Sequence, residues 1–387
     1  MLVTAFARRS ARPRGFRGVS QNSQASSTLE TSASIVGSFR LTPFSPAVFA
    51  RNQHVMTILG SEVLFKFGPD ALPEGLGLHR KRYETDDGDF FDVDFCAAKG
   101  SSEGVPSSSR PVVVLLHGLE SNSRSSFCCR LTRAFQREGF DTAVLCFRSC
   151  SGELNRSARF YNVGFTDDLR QLCAALKEAV PSRRIYLSGF SLGGNAICKF
   201  LGELTEQEVL ALGVGGAAVC NVPFLPEVSS EAMDSGMGRL YAWNFLKSMK
   251  PKAQAKAEML TARGEAVPYD LEKVLQAETI GDFDDACVAP MYGFKDKLDY
   301  YRTQGSKRFL KDVRVPLLAM NAKDDPLVDP TSLPTSQEVS KAVLLYYPDF
   351  GGHCGFLEDT DGDPRNYCPR LFASFLRHVH DCGAEEK

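Results

Sequence analysis

Short apolar runs recur along the chain beyond residue 40, with helix-length amphipathic stretches between them. Val112-Val113-Val114-Leu115-Leu116 is the clearest, five apolar residues with no polar alternation. A run of that length, rich in β-branched side chains, suits a strand buried on both faces. Similar runs lie at 142–147, 184–187, 217–220, 315–320 and 342–347. Buried strands separated by helices require crossover connections, so the pattern predicts an α/β fold with a mostly parallel sheet and flanking helices. Earlier strands are expected at 61–67, 79–85 and 90–95, the last with the partial alternation of a half-buried strand. Residues 100–109 form a Gly/Ser/Pro loop. The alternation of strand and helix stops between 223 and 311. Helical patches at 240–249 and 271–277, with no buried strand, predict a helical cap inserted over the carboxyl edge of the sheet.

The first forty residues differ. They contain Arg8, Arg9, Arg12, Arg14, Arg17 and Arg40, many serines and a single acid, Glu30. Arg-rich, Ser-rich and acid-poor composition is that of an organellar transit peptide. Residues 1–40 are therefore expected to be a disordered targeting segment, mitochondrial or plastid, with a cytoplasmic location as the alternative. The folded domain is expected over 41–387.

Overall charge changes the picture by exclusion. Lys plus Arg number 45 against 47 Asp plus Glu, a net charge of −2, which leaves no electrostatic footprint for nucleic acid. No run of about 18 apolar residues suggests a membrane-spanning helix, although peripheral contact with a membrane stays compatible. The 12 cysteines include no C-x-x-C pair and no zinc spacing, so free thiols in a reducing compartment are expected. His378 and His380 lie close together without a second ligand pair, and neither a metal nor another cofactor is expected.

Gly189-Phe190-Ser191-Leu192-Gly193 matches G-x-S-x-G. A strand-like segment precedes it and a helix-like one, 195–201, follows, which is the setting of a nucleophile elbow. Side chains at Gly189 or Gly193 would collide with neighbouring backbone, and Ser191 would stand exposed above the strand at the positive end of a helix. A serine hydroxyl needs a base, and in this arrangement the order is Ser, acid, His. His353 lies in a Gly-rich loop just past the last strand-like run. His378 and His380 fall in the final amphipathic helix, as surface residues. The acid belongs after 315–320, where Asp325 precedes Pro326, with Asp324 as the alternative. Oxyanion donors are expected from the backbone of Leu192 and of Leu119, the latter in His117-Gly118-Leu119-Glu120. His117 precedes the serine and reads as an orienter of its loop rather than a second base.

These segments resemble the YheT-like α/β-hydrolases, a family that also includes plant embryogenesis-associated proteins and eukaryotic α/β-hydrolase-domain lipases. The resemblance runs from residue 43 to about 376. It is carried by Arg51-Asn52-Gln53-His54-Val55-Met56-Thr57-Ile58, Leu116-His117-Gly118-Leu119 and Cys150–Arg156, and by 189–195. Further along it is carried by Phe283-Asp284-Asp285, Tyr292-Gly293-Phe294, Asp299-Tyr300-Tyr301, 321–326 and 351–357. It implies an eight-strand α/β-hydrolase sheet, a Ser191–Asp325–His353 triad, and a serine hydrolase acting on carboxylic esters or acylglycerols. Alcohol O-acyltransfer is the alternative within that chemistry. A non-catalytic scaffold is the alternative outside it. Two positions depart from the family pattern: Ser149 stands where a Gly is usual and Asn162 where a His is usual, both at the expected pocket rim. An H-x4-D acyltransferase motif is missed by one residue, His353 to Asp359. The insertion carries Phe224, Leu225, Met233, Met237, Leu240, Tyr241, Trp243, Phe245, Leu246 and Met249; most are expected to pack the cap on the core, and those facing Ser191 to line the entrance for a flexible acyl chain.

Overall fold

A computed structural model describes residues 21–61, 76–98, 110–360 and 362–385. Eight strands form one sheet in the order β1-β2-β4-β3-β5-β6-β7-β8. They are β1 (His79–Glu84), β2 (Phe90–Cys96), β3 (Val112–Leu116), β4 (Asp141–Cys146), β5 (Ile185–Phe190), β6 (Val214–Cys220), β7 (Leu317–Met320) and β8 (Val343–Tyr346). β2 runs antiparallel to both its neighbours and every other pairing beyond it is parallel.

The unalternated runs have a direct cause. Val112, Val114 and Leu116 face one hydrophobic core, whereas Val113 and Leu115 face another. Successive strand side chains point to opposite faces, so a strand covered on both sides needs apolar residues throughout. β2 is different. Phe91, Val93 and Phe95 enter the core, while Asp92 and Asp94 pair directly across the ladder with Arg82 and Arg80. That explains the partial alternation near this end of the sheet.

Helix α1 (Gln21–Ser38) corrects the expectation that residues 1–40 lie outside the fold. Ile35 and Val36 are buried in the same core as the C-terminal helix, the Ser32 hydroxyl donates to Arg314 O at 2.8 Å, and the Phe39 ring meets Phe375 edge-on at 5.1 Å. The basic composition that suggested disorder is concentrated in residues 8–17, and the short apolar stretch behind it was masked by it. Residues 1–20 lie outside the described residues, as does the expected strand at 61–67 apart from Ser61, which ends helix α2 (Gln53–Ser61).

Helix α3 (Ser126–Arg137) covers one face of the sheet. Helices α4 (Asp167–Ala179), α5 (Leu192–Glu203) and α6 (Glu206–Leu212) cover the other. The chain then leaves β6 for a wholly helical excursion: α7 (Pro226–Met233), α8 (Gly238–Ala262), α9 (Leu271–Gln276) and α10 (Ile280–Phe283), a π-helical turn (Asp284–Val288), α11 (Ala289–Tyr292) and α12 (Lys297–Gln304). The 25-residue α8 continues through Pro251, beyond the expected patch at 240–249. Tertiary packing overrides the local penalty of an interior proline, because Leu246, Met249, Ala253 and Ala257 lie along one buried stripe. Helix α13 (Tyr367–Glu385) closes the α3 side. His378 and His380, expected at the surface, are half-buried there: His380 Nδ1 lies 3.0 Å from the Tyr186 hydroxyl and His378 Nε2 3.0 Å from Ile35 O. No helix among the described residues is long and apolar enough to cross a membrane. All 12 cysteines are free thiols.

Candidate active site

β5 delivers Ser191 into a backbone conformation of φ 53°, ψ −128°, after which α5 begins at once. For a residue with a Cβ such a conformation costs about 1–3 kcal/mol and persists only where its surroundings enforce it. The enforcement is visible. The Ser191 N–H donates to Cys220 O at 2.9 Å. A Cβ on Gly193 would come within 2.4 Å of His117 O, and one on Gly189 within 3.0 Å of the Gly193 backbone. The two flanking glycines thus let β5, β3 and α5 meet at the turn.

The loops after β7 and β8 bring the other expected residues to this point. His353 Nε2 lies 3.0 Å from Ser191 Oγ, and His353 Nδ1 lies 2.8 Å from Asp325 Oδ2 and 3.1 Å from its Oδ1. The Asp325 and His353 side chains are almost wholly buried. Burial by itself would push the His353 imidazole down, but the Asp325 charge and hydrogen bond outweigh it and raise the ring to about 9. Asp324 takes another partner: its Oδ1 accepts the Gly352 N–H at 2.8 Å. It braces the histidine loop and makes no contact with the imidazole.

His117 is fully buried. Its Nδ1 donates to Gly118 O at 2.8 Å and its Nε2 accepts the Phe147 N–H at 3.1 Å. Burial pushes it down to about 4, so it is a neutral strut between the loop after β3 and that after β4. A Cβ on Gly118 would sit 3.2 Å from the Ser191 Cβ, which brings the backbone leading to Leu119 against the serine.

Ser191 and His353 open onto a cavity of about 990 Å³ of empty space, open solvent included. Its wall combines Leu119 and Leu192 from the sheet edge with Met233, Phe245, Met249, Ile280 and Phe283 from the helical excursion. Of the ten insertion residues expected to pack the cap or line the entrance, Met237, Leu240 and Trp243 are exposed to solvent instead, at 41%, 39% and 55%. One ion pair bridges the two sides of the cavity: Lys252 Nζ of α8 lies 2.7 and 2.8 Å from the Glu120 carboxylate oxygens. The Tyr161 hydroxyl donates to Glu120 Oε1 and accepts its N–H, both at 2.9 Å. Among the described residues no cluster of three or more metal-ligating side chains occurs.

A family model described as alpha/beta hydrolase fold matches residues 111–360. The chain belongs to the α/β hydrolase fold family. The Escherichia coli protein YheT, which carries an esterase name, is 32% identical over 280 residues, 72% of this chain and 79% of its own. A Saccharomyces cerevisiae protein named monoacylglycerol lipase is 26% identical over 70% of this chain and 60% of its own length. Among solved structures, a Pyrococcus furiosus esterase, Pf2001, superposes with a TM-score of 0.50 at 15% identity, over 82% of this chain and 95% of that one.

Several residues that shape this α/β hydrolase site escaped the sequence reading. Asn221, directly after β6, is buried at φ 49°. Its Nδ2 donates to Asp325 Oδ2 at 2.6 Å and to Gly352 O at 2.9 Å, tying the acid to the histidine loop. Thr57 Oγ1 accepts the His353 N–H at 2.8 Å and donates to Gln53 O at 2.7 Å. The segment 51–58 therefore has a mechanical meaning: Asn52 Oδ1 caps α2 through the His54 and Val55 N–H groups, and α2 holds the histidine loop from below. A Cβ on Gly60 would fall 2.4 Å from the Gly355 Cα, so that contact is between bare backbones. The two departures at the rim also find a place. Ser149 sits at φ 66°, a conformation that glycine adopts without penalty. Asn162 lines the cavity, and its Oδ1 accepts the Gly164 N–H at 2.9 Å.

Proposed function

We propose that this α/β hydrolase cleaves carboxylic esters or acylglycerols through an acyl-Ser191 intermediate. The observation that carries the reading is the continuous hydrogen-bond relay from Asp325 through His353 to Ser191, opening onto an apolar cavity. Neutral His353 takes the Ser191 proton on Nε2 as Oγ attacks the ester carbonyl. Asp325 fixes the ring with its proton on Nδ1 and stabilises the imidazolium as it forms. The backbone N–H groups of Leu192 and Leu119 face the developing oxyanion. His353 then returns the proton to the leaving alcohol. Water repeats the sequence on the acyl-enzyme to release the acid and free Ser191.

The apolar cavity wall supports an acyl chain of medium or greater length, since each buried methylene contributes about 0.8 kcal/mol. An alcohol in place of water at the second step would give ester exchange by the same route; product analysis with added ethanol separates the two. The decisive experiment is labelling with a fluorophosphonate. Stoichiometric modification of the wild type and none of Ser191→Ala is the expected result, and equal labelling of both would remove Ser191 from the mechanism. We propose further that the Arg-rich stretch ahead of α1 is an organelle-targeting segment, which a reporter fusion would test.

A further inference from the structure

Three segments that the reaction does not use meet at the cap end of the cavity. Phe283-Asp284-Asp285 enters the π-helical turn Asp284–Val288, Asp299-Tyr300-Tyr301 lies in α12, and Ser229-Ser230 lies in α7. Ser229, Ser230, Asp284, Tyr300 and Tyr301 all line the cavity that holds Ser191. The Tyr301 hydroxyl donates to Asp284 Oδ2 at 2.7 Å and lies 3.3 Å from Ser230 Oγ. The Tyr300 hydroxyl is already engaged, accepting the Val163 N–H at 2.8 Å.

One of these groups lacks a hydrogen-bond partner and another lacks an ion-pair partner. Ser229 is 4% exposed, and its hydroxyl has no hydrogen-bond partner among the described residues. Asp284 is 7% exposed and makes no ion pair among the described residues. A buried carboxyl and a buried hydroxyl beside Phe283, Ile280 and Val288 are costly unless something supplies hydrogen bonds. π-Turns inside helices are frequently found at functional sites. Here the turn carries Asp284 to the cavity wall beside the apolar Ile280, Phe283 and Val288.

We infer that this end of the cavity binds a neutral hydroxyl group of the substrate. Asp284 accepts a hydrogen bond from it, and the Tyr301 and Ser229 hydroxyls complete the grip. The inference rests on the ester-hydrolase reading of Ser191 and narrows its substrates to esters that carry a hydroxyl besides the scissile bond. That hydroxyl can belong to the alcohol part, as in a glycerol ester, or to the acyl part, as in a hydroxyacyl ester. Asp284 is pushed up to about 7 by burial, with the Tyr301 hydrogen bond and the Lys297 charge opposing. A carboxyl so poised can accept from a hydroxyl or donate to one, which suits a neutral partner.

The test compares kcat/KM for 1-monooctanoylglycerol against propyl octanoate, and for ethyl 8-hydroxyoctanoate against ethyl octanoate, all as monomers. In the wild type one hydroxyl-bearing ester should exceed its hydroxyl-free counterpart by at least about tenfold, since a site built to bond a hydroxyl rejects the analogue lacking it. Preference in the first pair assigns the hydroxyl to the alcohol side, and preference in the second to the acyl side; either supports the inference. Asp284→Asn, Tyr301→Phe and Ser229→Ala should each lower that ratio toward one. The ratio is internal to each variant, so partial loss of folded protein cancels, and Ser229→Ala is the mildest change if the others fail to fold. Equal rates within both pairs in the wild type, or an unchanged ratio in all variants, would overturn the inference. Turnover of propyl octanoate with fluorophosphonate labelling of Ser191 would then leave the hydrolase reading intact, whereas loss of both would sink it as well.

Discussion

The two ends of one cavity are built on opposite principles. At the sheet edge, Ser191, His353 and Asp325 stand on loops that leave three parallel strands, and the polar groups of the relay are paired: both Asp325 oxygens, both imidazole nitrogens and the His353 N–H have partners. At the cap end, helices from distant stretches meet, Ser229 Oγ is buried without a hydrogen-bond partner among the described residues, and Asp284 is buried without an ion pair there. The bonded relay is held rigid, as chemistry that depends on sub-ångström placement requires, although Asn221 Oδ1 behind it has no partner among the described residues. A polar patch left short of partners keeps capacity for a ligand. On the proposed function, reaction belongs to the first end and selection to the second.

The largest expected effect comes from breaking the first end. Ser191→Ala should lower ester turnover by at least about 10³-fold, because loss of the nucleophile idles the base as well; steady-state kinetics on octanoyl esters measures it. Next is the acid. Asp325→Asn should cost about 10²- to 10⁴-fold in kcat by removing the group that fixes the tautomer. Asp324→Asn, which loses only a brace on Gly352, should cost less than about tenfold. The reverse ranking would move the acid by one residue.

The pH profile sharpens the same contrast. The base must be neutral, and His353 is raised to about 9, so kcat/KM should climb with pH through that region. Removing the carboxylate in Asp325→Asn takes away the charge that raises the ring, and the residual activity should show its limb at lower pH. A limb that stays in place would separate His353 from Asp325. A smaller effect, about tenfold in kcat, is expected for Asn221→Gly, which keeps the positive φ and deletes the amide linking Asp325 to the histidine loop. The acyl-length series tests the cap end. From acetyl to octanoyl, with about half of the added methylenes buried at about 0.8 kcal/mol each, kcat/KM should rise by roughly 50-fold. A flat profile would take the apolar wall out of substrate binding.

Much of the catalytic end was legible in the chain. Ser191 announces itself through glycines at fixed offsets, and His353 and Asp325 each follow a recognisable buried strand. Asn221 was not legible. It is one polar residue after β6, and only the packing of β6 beside β7 brings its amide to Asp325. Thr57 escaped for a related reason: 296 residues separate it from His353, whose N–H it accepts. The N-terminal stretch misled in the other direction. Its arginines dominate a composition window, while Ser32, Ile35, Val36 and Phe39 dock α1 and the residue after it on the C-terminal helix side.

The sequence by itself determined the α/β class, the strand order along the chain, the strained serine turn, and the serine and histidine of the relay. These depend on period, on local turn geometry and on loops that directly follow buried strands. Tertiary structure alone decided which aspartate meets the imidazole, how α2 and Asn221 hold the histidine loop, and which cap side chains face the cavity. In a helical insertion an apolar residue reads the same whether it packs inward, lines a cavity or meets solvent. Only the fold, by burying Leu246, opening a wall at Phe245 and leaving Trp243 outside, breaks that degeneracy.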